Sequence, residues 1–451
     1  MILALISVVI SVNLFNYYND ENHNKVGIKI LFVSLISGMI LALASLIKFN
    51  ILPFSIVFFI IFSILIFYNF KSKKYLLLSF VGFASFFTFF IVLYLLSKQK
   101  IYNLIPFIKG CYQIIKGYTP AMFLHGNHLQ TIVAFIILAY FIYIVIKAFK
   151  NKQKKIFSQF LLLFLLLFIA YKEGFTRHDP GLVGGHAIIS FFPIALILIT
   201  FSMLIFSNNN LSNKYLKLIF IFAFCFNLIG GLTTLIPAAA QKQFIKVLIN
   251  YKNTRTALQQ ISNESIQNQF NIKPSIIKAI KNTSVTIIPW NLMMAQGYNM
   301  KFIPQPVPQA YQANTPYLDK QNANQLMGNK APQKIIYTFE DIDGRYPLFS
   351  EPYTFQTILS CYNTEISGNN YSLFTRKKLC YDLQLHKLSN IKANLNKWID
   401  IPKNADFMNV YIKPTIFNSI INILYKPFSQ LNISFKLEDG SIVGPYRFIY
   451  A

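Results

Sequence analysis

Two loops carry most of the residues that could do chemistry in the first half of this chain. Residues Met1–Ala240 hold only four of the chain's 16 acids: Asp20, Glu21, Glu173 and Asp179. Glu173 and Asp179 share the segment Tyr171–His186 with Arg177, His178 and His186. Apolar surroundings disfavour the charged form of a carboxyl, which then serves as a base or an acid, while a guanidinium grips phosphate with two parallel hydrogen bonds. This spacing makes Glu173, Asp179 and His178 catalytic candidates and Arg177 and His186 candidate ligands of a lipid phosphate. His125 and His128, in the second loop Gly117–His128, join the ligand set. A plainer reading stays open: interfacial side chains snorkelling to water beside a turn made by Gly181, Gly184 and Gly185.

Other motifs are weaker. The histidines and Asp179 supply metal-ligand types without a tight spacing, so no metal is expected. Asp341-Ile-Asp343 matches a divalent-ion pattern, but Asp343-Gly344-Arg345 reads as a turn closed by an Asx-type bond. The stiff Pro304–Tyr311 run lines a glycan groove with Tyr311, Tyr317 and Trp290, or simply holds a long loop. A bond between Cys361 and Cys380 is open, and Cys111 and Cys225 are expected to be unpaired. The sequence contains no phosphate loop, dinucleotide glycine motif or nucleophile elbow, and it identifies no cofactor.

The elements that must position these residues follow from composition. At 54% hydrophobic and 13% charged residues, with 45 Phe, the chain is no ordinary soluble enzyme. Apolar stretches recur at Ile2–Tyr17, Val26–Ile47, Ile51–Phe70, Tyr75–Leu96, Leu129–Phe149, Ile156–Tyr171, His186–Phe206 and Tyr215–Pro237, about eight expected spans. The first lacks the basic start and small-residue end of a signal peptide and reads as a retained helix. The net charge of +26 comes largely from Lys in short loops, so nucleic acid is not an expected partner. Lys71, Lys73 and Lys74, and then Lys147–Lys155, have one parity. Positive charge on the cytoplasmic side then puts the amino terminus, both candidate loops and everything after the eighth span outside. The Lys98–Lys116 stretch runs against this orientation and has the spacing of an interfacial segment.

The expected fold is a polytopic α-helical membrane domain (1–240) followed by an extracytoplasmic mixed α/β and β-rich domain. A helical connector (241–283) leads to a small α/β unit (284–378), with strands at Ser284–Pro289, Ile335–Phe339 and Tyr371–Thr375 and a helix at Phe355–Tyr362. A β-rich segment (379–451) follows, with Trp398–Ile401, Asp406–Ile412 and a hairpin turning at Asp439-Gly440.

Tyr171–Asp179, Pro304–Tyr311, Asn322-Ala-Asn324, Ala331-Pro332, Ile342–Pro347, Asp439-Gly440 and Tyr446-Arg447 together resemble a family of uncharacterised bacterial multispanning membrane proteins. The resemblance spans most of the chain and brings no established activity. The organisation is similar to that of the glycosyltransferase C superfamily, which uses polyprenyl-phosphate sugars at the outer membrane face. Those enzymes place an acid in their first outer loop. Here Asp20 and Glu21 are expected to be cytoplasmic, so Glu173 or Asp179 would take that role. Members of the resembling family run beyond a segment like Tyr446–Tyr450, so the chain reads as a shortened or split version. The resemblance implies a multi-pass protein of the bacterial inner membrane, with membrane lipid, polyprenyl phosphate among the candidates, and a glycan acceptor as partners. Three functions compete: a lipid-linked sugar transferase, a glycan polymerase or ligase, and an envelope protein that displays its outer domain. Transport is disfavoured, since the spans lack intramembrane charge and paired broken helices.

Overall fold

The computed structural model describes residues 2–17, 23–178, 187–206, 251–340, 342–368, 371–381, 383, 385–412, 415–425 and 430–449. The chain divides into two compact units. One comprises Met1–Cys111, Met122–Ile245 and Leu424–Lys426; the other comprises Tyr112–Ala121, Lys246–Ile423 and Pro427–Ala451.

The first unit is helical: α1 (Ile2–Leu14), α2 (His23–Ile47), α3 (Ile51–Phe70), α4 (Lys73–Leu96), the start of α5 (Leu104–Met122), α6 (His128–Lys150), α7 (Lys154–Thr176) and α8 (Phe192–Phe206), the last entered through a π-helical turn at Ala187–Phe191. Each break has a local cause. Lys71 takes a left-handed conformation that ends α3, and the side chains of Ser72 and Asn127 accept from Tyr75 N and Leu129 N to start α4 and α6. Among the described residues five helices, Lys25–Ile47, Ile51–Phe70, Lys73–Leu96, His128–Lys150 and Lys154–Thr176, are long and apolar enough to cross a membrane. At about 1.5 Å per residue each covers the roughly 30 Å of hydrocarbon. The chain therefore carries the helices of a multi-pass membrane protein. Of the other expected spans, Ile2–Leu14 and Ala187–Met203 are shorter, and Tyr215–Pro237 lies outside the described residues.

Small residues let these helices approach. A Cβ at Gly38 would lie 2.7 Å from both Gly82 O and the Ser85 side chain, and one at Gly82 would lie 2.6 Å from the Phe59 ring. Such contacts bring α2 and α4 backbone to backbone, where dispersion rather than water exclusion holds helices together. At one end of the bundle Asn69 Nδ2 donates to Ser158 Oγ at 2.6 Å, and Lys154 Nζ stands 5.3 Å from the Tyr68 ring. This gathers the loops Lys71–Lys74 and Lys147–Lys155 on the same side, as their shared parity requires.

The second unit holds β1 (Ser284–Ile288), β2 (Lys301–Phe302), β3 (Lys334–Tyr337), β4 (Tyr362–Ile366) and β5 (Ser372–Arg376) in one mixed sheet of order β2-β1-β3-β5-β4. β1 runs parallel to β2 and β3, while β5 is antiparallel to β3 and β4. Alternation supplies two cores: Val285, Ile287, Ile336 and Leu373 pack with Ile276 and Ile280 on one face, and Ile288, Ile335 and Tyr337 pack with Leu326 and Ile358 on the other. The helices are Tyr251–Phe270, Pro274–Ile280, Met293–Gly297, Pro316–Met327, Pro347–Ser350, Pro352–Cys361 and Ile416–Leu424.

The expected hairpin is present as β6 (Leu431–Lys436) and β7 (Ile442–Phe448), with Gly440 at φ 85° and Asp439 Oδ1 accepting from Ser441 N at 2.9 Å. The wider β-rich expectation for 379–451 needs correction. Among its described residues only this hairpin is strand, because Trp398–Ile401 and Asp406–Ile412 find no partner ladder and leave Trp398 and Tyr411 exposed. Cys361 and Cys380 are bonded, tying the end of the Pro352 helix to the chain leaving β5, and Cys111 is free. Cys225 lies outside the described residues. Peptide mapping of unreduced protein from its native membrane should recover the linked Cys361 and Cys380 peptides, and replacing both by Ala should lower stability by about 3 kcal/mol for a loop of this length. Quantitative alkylation of both thiols without reductant would contradict the bond.

Candidate functional site

The loops singled out in the sequence meet at the end of α7. Leu124 N donates to Thr176 O at 3.2 Å, and Leu124 and Arg177 form a parallel bridge. Gly126 closes this approach, since a Cβ there would lie 2.5 Å from the His178 ring. His178 is buried, packs its ring 4.8 Å from that of Phe175, and shares a 2.7 Å hydrogen bond between Nε2 and Gln130 Oε1. His125 and His128 are exposed at the start of α6, with the His125 ring against Phe123.

Glu173 pairs with Lys48, which leaves the end of α2; the Glu173 side chain is only 14% exposed. Its second oxygen is buried and has no hydrogen bond among the described residues. Lys172 Nζ donates to Tyr425 O at 2.5 Å, and Tyr171 packs between the rings of Phe175, Phe191 and Tyr425. Glu173, Arg177, His178 and the His125 loop are thus brought to one helix end, whereas Asp179 and His186 lie outside the described residues. The sequence reading missed Lys48, which is 125 positions from Glu173 and belongs to no motif. Lys48 is the cation paired with Glu173, while Lys172 and Arg177 are carried by the same end of α7.

The second unit holds a further constellation. β1 leads to β2 on one side and then, through the Pro316 helix, to β3 on the other, so chain order reverses at the carboxyl end of β1. Open α/β sheets bind ligands at such points. Here Ile288-Pro289-Trp290, Tyr337, Glu340 and the helix start at Glu351 enclose a narrow cavity of about 20 Å³. Trp290, Glu340 and Pro347 also line an open cleft of about 520 Å³ that is completed by Phe339, Tyr346 and Tyr446. Buried Arg345 fixes this wall, donating to Tyr311 O at 3.2 Å and to Ala121 O at 2.5 Å. Arg447 N donates to Gly344 O at 2.7 Å, which sets the Tyr446 ring 5.0 Å from that of Tyr346.

Beneath the cavity, Glu351 is buried and accepts from Asn322 Nδ2. Asn322 itself is fixed by Val307, donating to its carbonyl at 3.0 Å and accepting from its N–H at 2.8 Å. Asp319 accepts from Tyr353 N at 2.8 Å and Thr354 N at 2.9 Å, capping the Pro352 helix from outside it. Burial, the largest cause, pushes the Glu351 carboxyl up to about 8; the Asn322 hydrogen bond opposes this and the neighbouring Asp319 charge adds to it. Burial likewise raises Asp319 against its three hydrogen bonds.

Sequence reasoning missed Glu351, whose only local signal is an acid before a proline at a helix start. Of the expected glycan groove, Trp290 and Tyr311 do face each other, with centroids 5.8 Å apart, while Tyr317 packs in a separate cluster with Val307 and Leu318. The Asp343-Gly344 turn is present with both residues at positive φ, and Asp343 Oδ2 lies 3.7 Å from Arg447 Nη1. Asp341 lies outside the described residues.

No family model, curated protein or solved structure matches the chain. Of the resemblance read from the motifs, the run of apolar helices is what stands.

The Glu351 shift has a stability consequence. An unfolded glutamate deprotonates near 4.5, whereas folded Glu351 holds its proton to about 8. Between these values the unfolded state binds fewer protons, so stability, full below 4.5, falls as pH rises through that window by at most ~1.4 kcal/mol per pH unit. Glu351→Gln should raise the melting temperature above pH 7 and flatten this slope. An unchanged slope in thermal scans from pH 5 to 9 would count against the assignment.

Proposed function

We propose that the chain is a multi-pass protein of the bacterial inner membrane that handles a lipid-linked phosphate at the outer face, transferring a sugar from polyprenyl phosphate to a glycan acceptor. The observation that supports this reading is the convergence of Lys48, Glu173, Lys172, Arg177 and His178 with the His125 loop at one end of the helical unit. That end is opposite the paired Lys-rich loops. The tendency of positive charge to stay on the cytoplasmic side supports an exterior position for the cluster. The Cys361–Cys380 bond supports an oxidising compartment for the second unit.

Arg177 and Lys48 hold the phosphate, with His125, His128 and His186 as further ligands. The Glu173 carboxylate takes the acceptor hydroxyl's proton, and the freed oxygen attacks the anomeric carbon. The bond from that carbon to the phosphate oxygen breaks, and the phosphate leaves with the electron pair. Asp179 is the alternative base, and His178, fixed by Gln130, positions or relays the proton.

Native mass spectrometry of detergent-extracted protein should find a retained polyprenyl phosphate. Arg177→Ala and Lys48→Ala should weaken its binding by up to about 3 kcal/mol each. Glu173→Gln should keep the lipid and lose turnover. A reporter fused after Ala240 should be active outside. If all these variants fold, hold lipid and support the native phenotype, the cluster is interfacial and the display role takes its place; interior reporter activity would overturn the orientation.

A further inference from the structure

The cleft in the second unit combines features that select one ligand class. Its open part is walled by Trp290, Phe339, Tyr346 and Tyr446. These rings are partly or largely exposed, unlike core aromatics, and present flat apolar surface to solvent. The closed end has room for little more than one oxygen-sized group, and the buried Glu351 carboxyl lines it. A ligand must therefore offer an apolar face at the mouth and a hydroxyl-sized polar tip at the base. Glu340 is an acid lining both the cavity and the cleft, which disfavours a phosphate or carboxylate ligand there, while Glu351, holding its proton, adds no cation to attract one. A quaternary ammonium would suit the rings. It would not suit a protonated carboxyl, which presents an O–H and a carbonyl oxygen rather than a charge. A sugar ring has C–H faces for the aromatics and hydroxyl edges for the carboxyl.

We propose that the cleft at the carboxyl ends of β1 and β3 is a saccharide-binding site, with Trp290 and its aromatic neighbours stacking on a neutral sugar ring and Glu351 donating a hydrogen bond to a sugar oxygen at the closed end. The site belongs to the second unit alone and does not rest on the lipid-phosphate reading, which survives if it fails. The groups facing Glu351 are Asp319 and Asn322 from the Pro316 helix, Tyr337 from β3, and Glu340 after β3. Burial raises Tyr337 well above the neutral range. Glu351 is therefore the donor that is lost as pH passes about 8.

The test uses the full chain in a detergent free of sugar and choline. Trp290 and Trp398 are the only tryptophans, so Trp398→Phe leaves Trp290 as the sole indole reporter. Chitotetraose, maltotetraose and mannotetraose are titrated against its emission, with choline chloride as the cationic probe. At least one saccharide should give a saturable change. Calorimetry with that saccharide should show Trp290→Ala or Tyr446→Ala weakening binding about tenfold, the scale of one aromatic contact. Affinity should fall as pH rises through 8 in the parent and stay level in Glu351→Gln, whose amide still donates. Intact disulfide and an unlowered melting temperature show that each variant is folded. No saturable response to any of the three saccharides, or a response to choline alone, overturns the proposal. A pH profile shared by the parent and Glu351→Gln overturns the role of Glu351.

Discussion

Inside hydrocarbon a backbone must satisfy its own hydrogen bonds, and the rest of the first unit follows from that constraint. The spans are unbroken helices, and their buried hydroxyls return to the same chain: Ser11 Oγ donates to Ser7 O, and Ser55 Oγ to Ile51 O, both at 2.8 Å. Polar contacts between helices are short and local, as between Ser79 and Ser63 at 3.0 Å. Among the described residues, the charged side chains of the five long apolar helices lie within two turns of a helix end. The cluster of Lys48, Glu173, Lys172 and Arg177 therefore sits where α2 and α7 finish, and the spans between carry packing and little chemistry.

The second unit solves a different problem. Its parallel pairing of β1 with both β2 and β3 leaves a crevice where the connections diverge, and the loops after β1 and β3 must cover it. They do so largely with aromatic rings, and buried Arg345 braces them from behind. Arg345 reaches the carbonyls of Tyr311 and Ala121, so it ties its own loop to the Tyr311 segment that lines the cavity. A pocket wall made of directed hydrogen bonds keeps its shape when empty, which suits binding by preorganisation.

Periodicity and composition made the helices legible, because long apolar runs between Lys-rich breaks have no other stable form. The central strands β1, β3 and β5 were legible for the same reason, as short β-branched or aromatic runs. The two-residue strand β2 and the exposed strand β4 were not, since Lys301-Phe302 and Tyr362–Ile366 bury too little on either face to show a pattern. The Asp439-Gly440 turn carried its hairpin through backbone chemistry alone. Trp398–Ile401 and Asp406–Ile412 misled because their apolar residues suggest strands, yet a strand exists only where a neighbour supplies the ladder. Of the site residues, the α7 end was visible as an island of charge in an apolar half. Lys48 and Glu351 were invisible: the first is one lysine among many, and the second gains its character from a burial that only the packed Pro316 and Pro352 helices create.

Glu173 and Glu351 are two answers to the cost of burying an acid. Glu173 keeps the Lys48 ammonium beside it. Among the described residues the groups acting on Glu351 are an amide, Asn322, and another acid, Asp319, and burial favours the form that retains the proton. The two proposed ligands differ accordingly, an anionic one at the first arrangement and a neutral one that exchanges hydrogen bonds at the second. Replacing either acid by its amide has different consequences: at Glu173 it removes the partner of a half-exposed lysine, whereas at Glu351 it substitutes one neutral group for another below about pH 8. The two units thus present complementary chemistries, each set by what lies beside a single buried carboxyl.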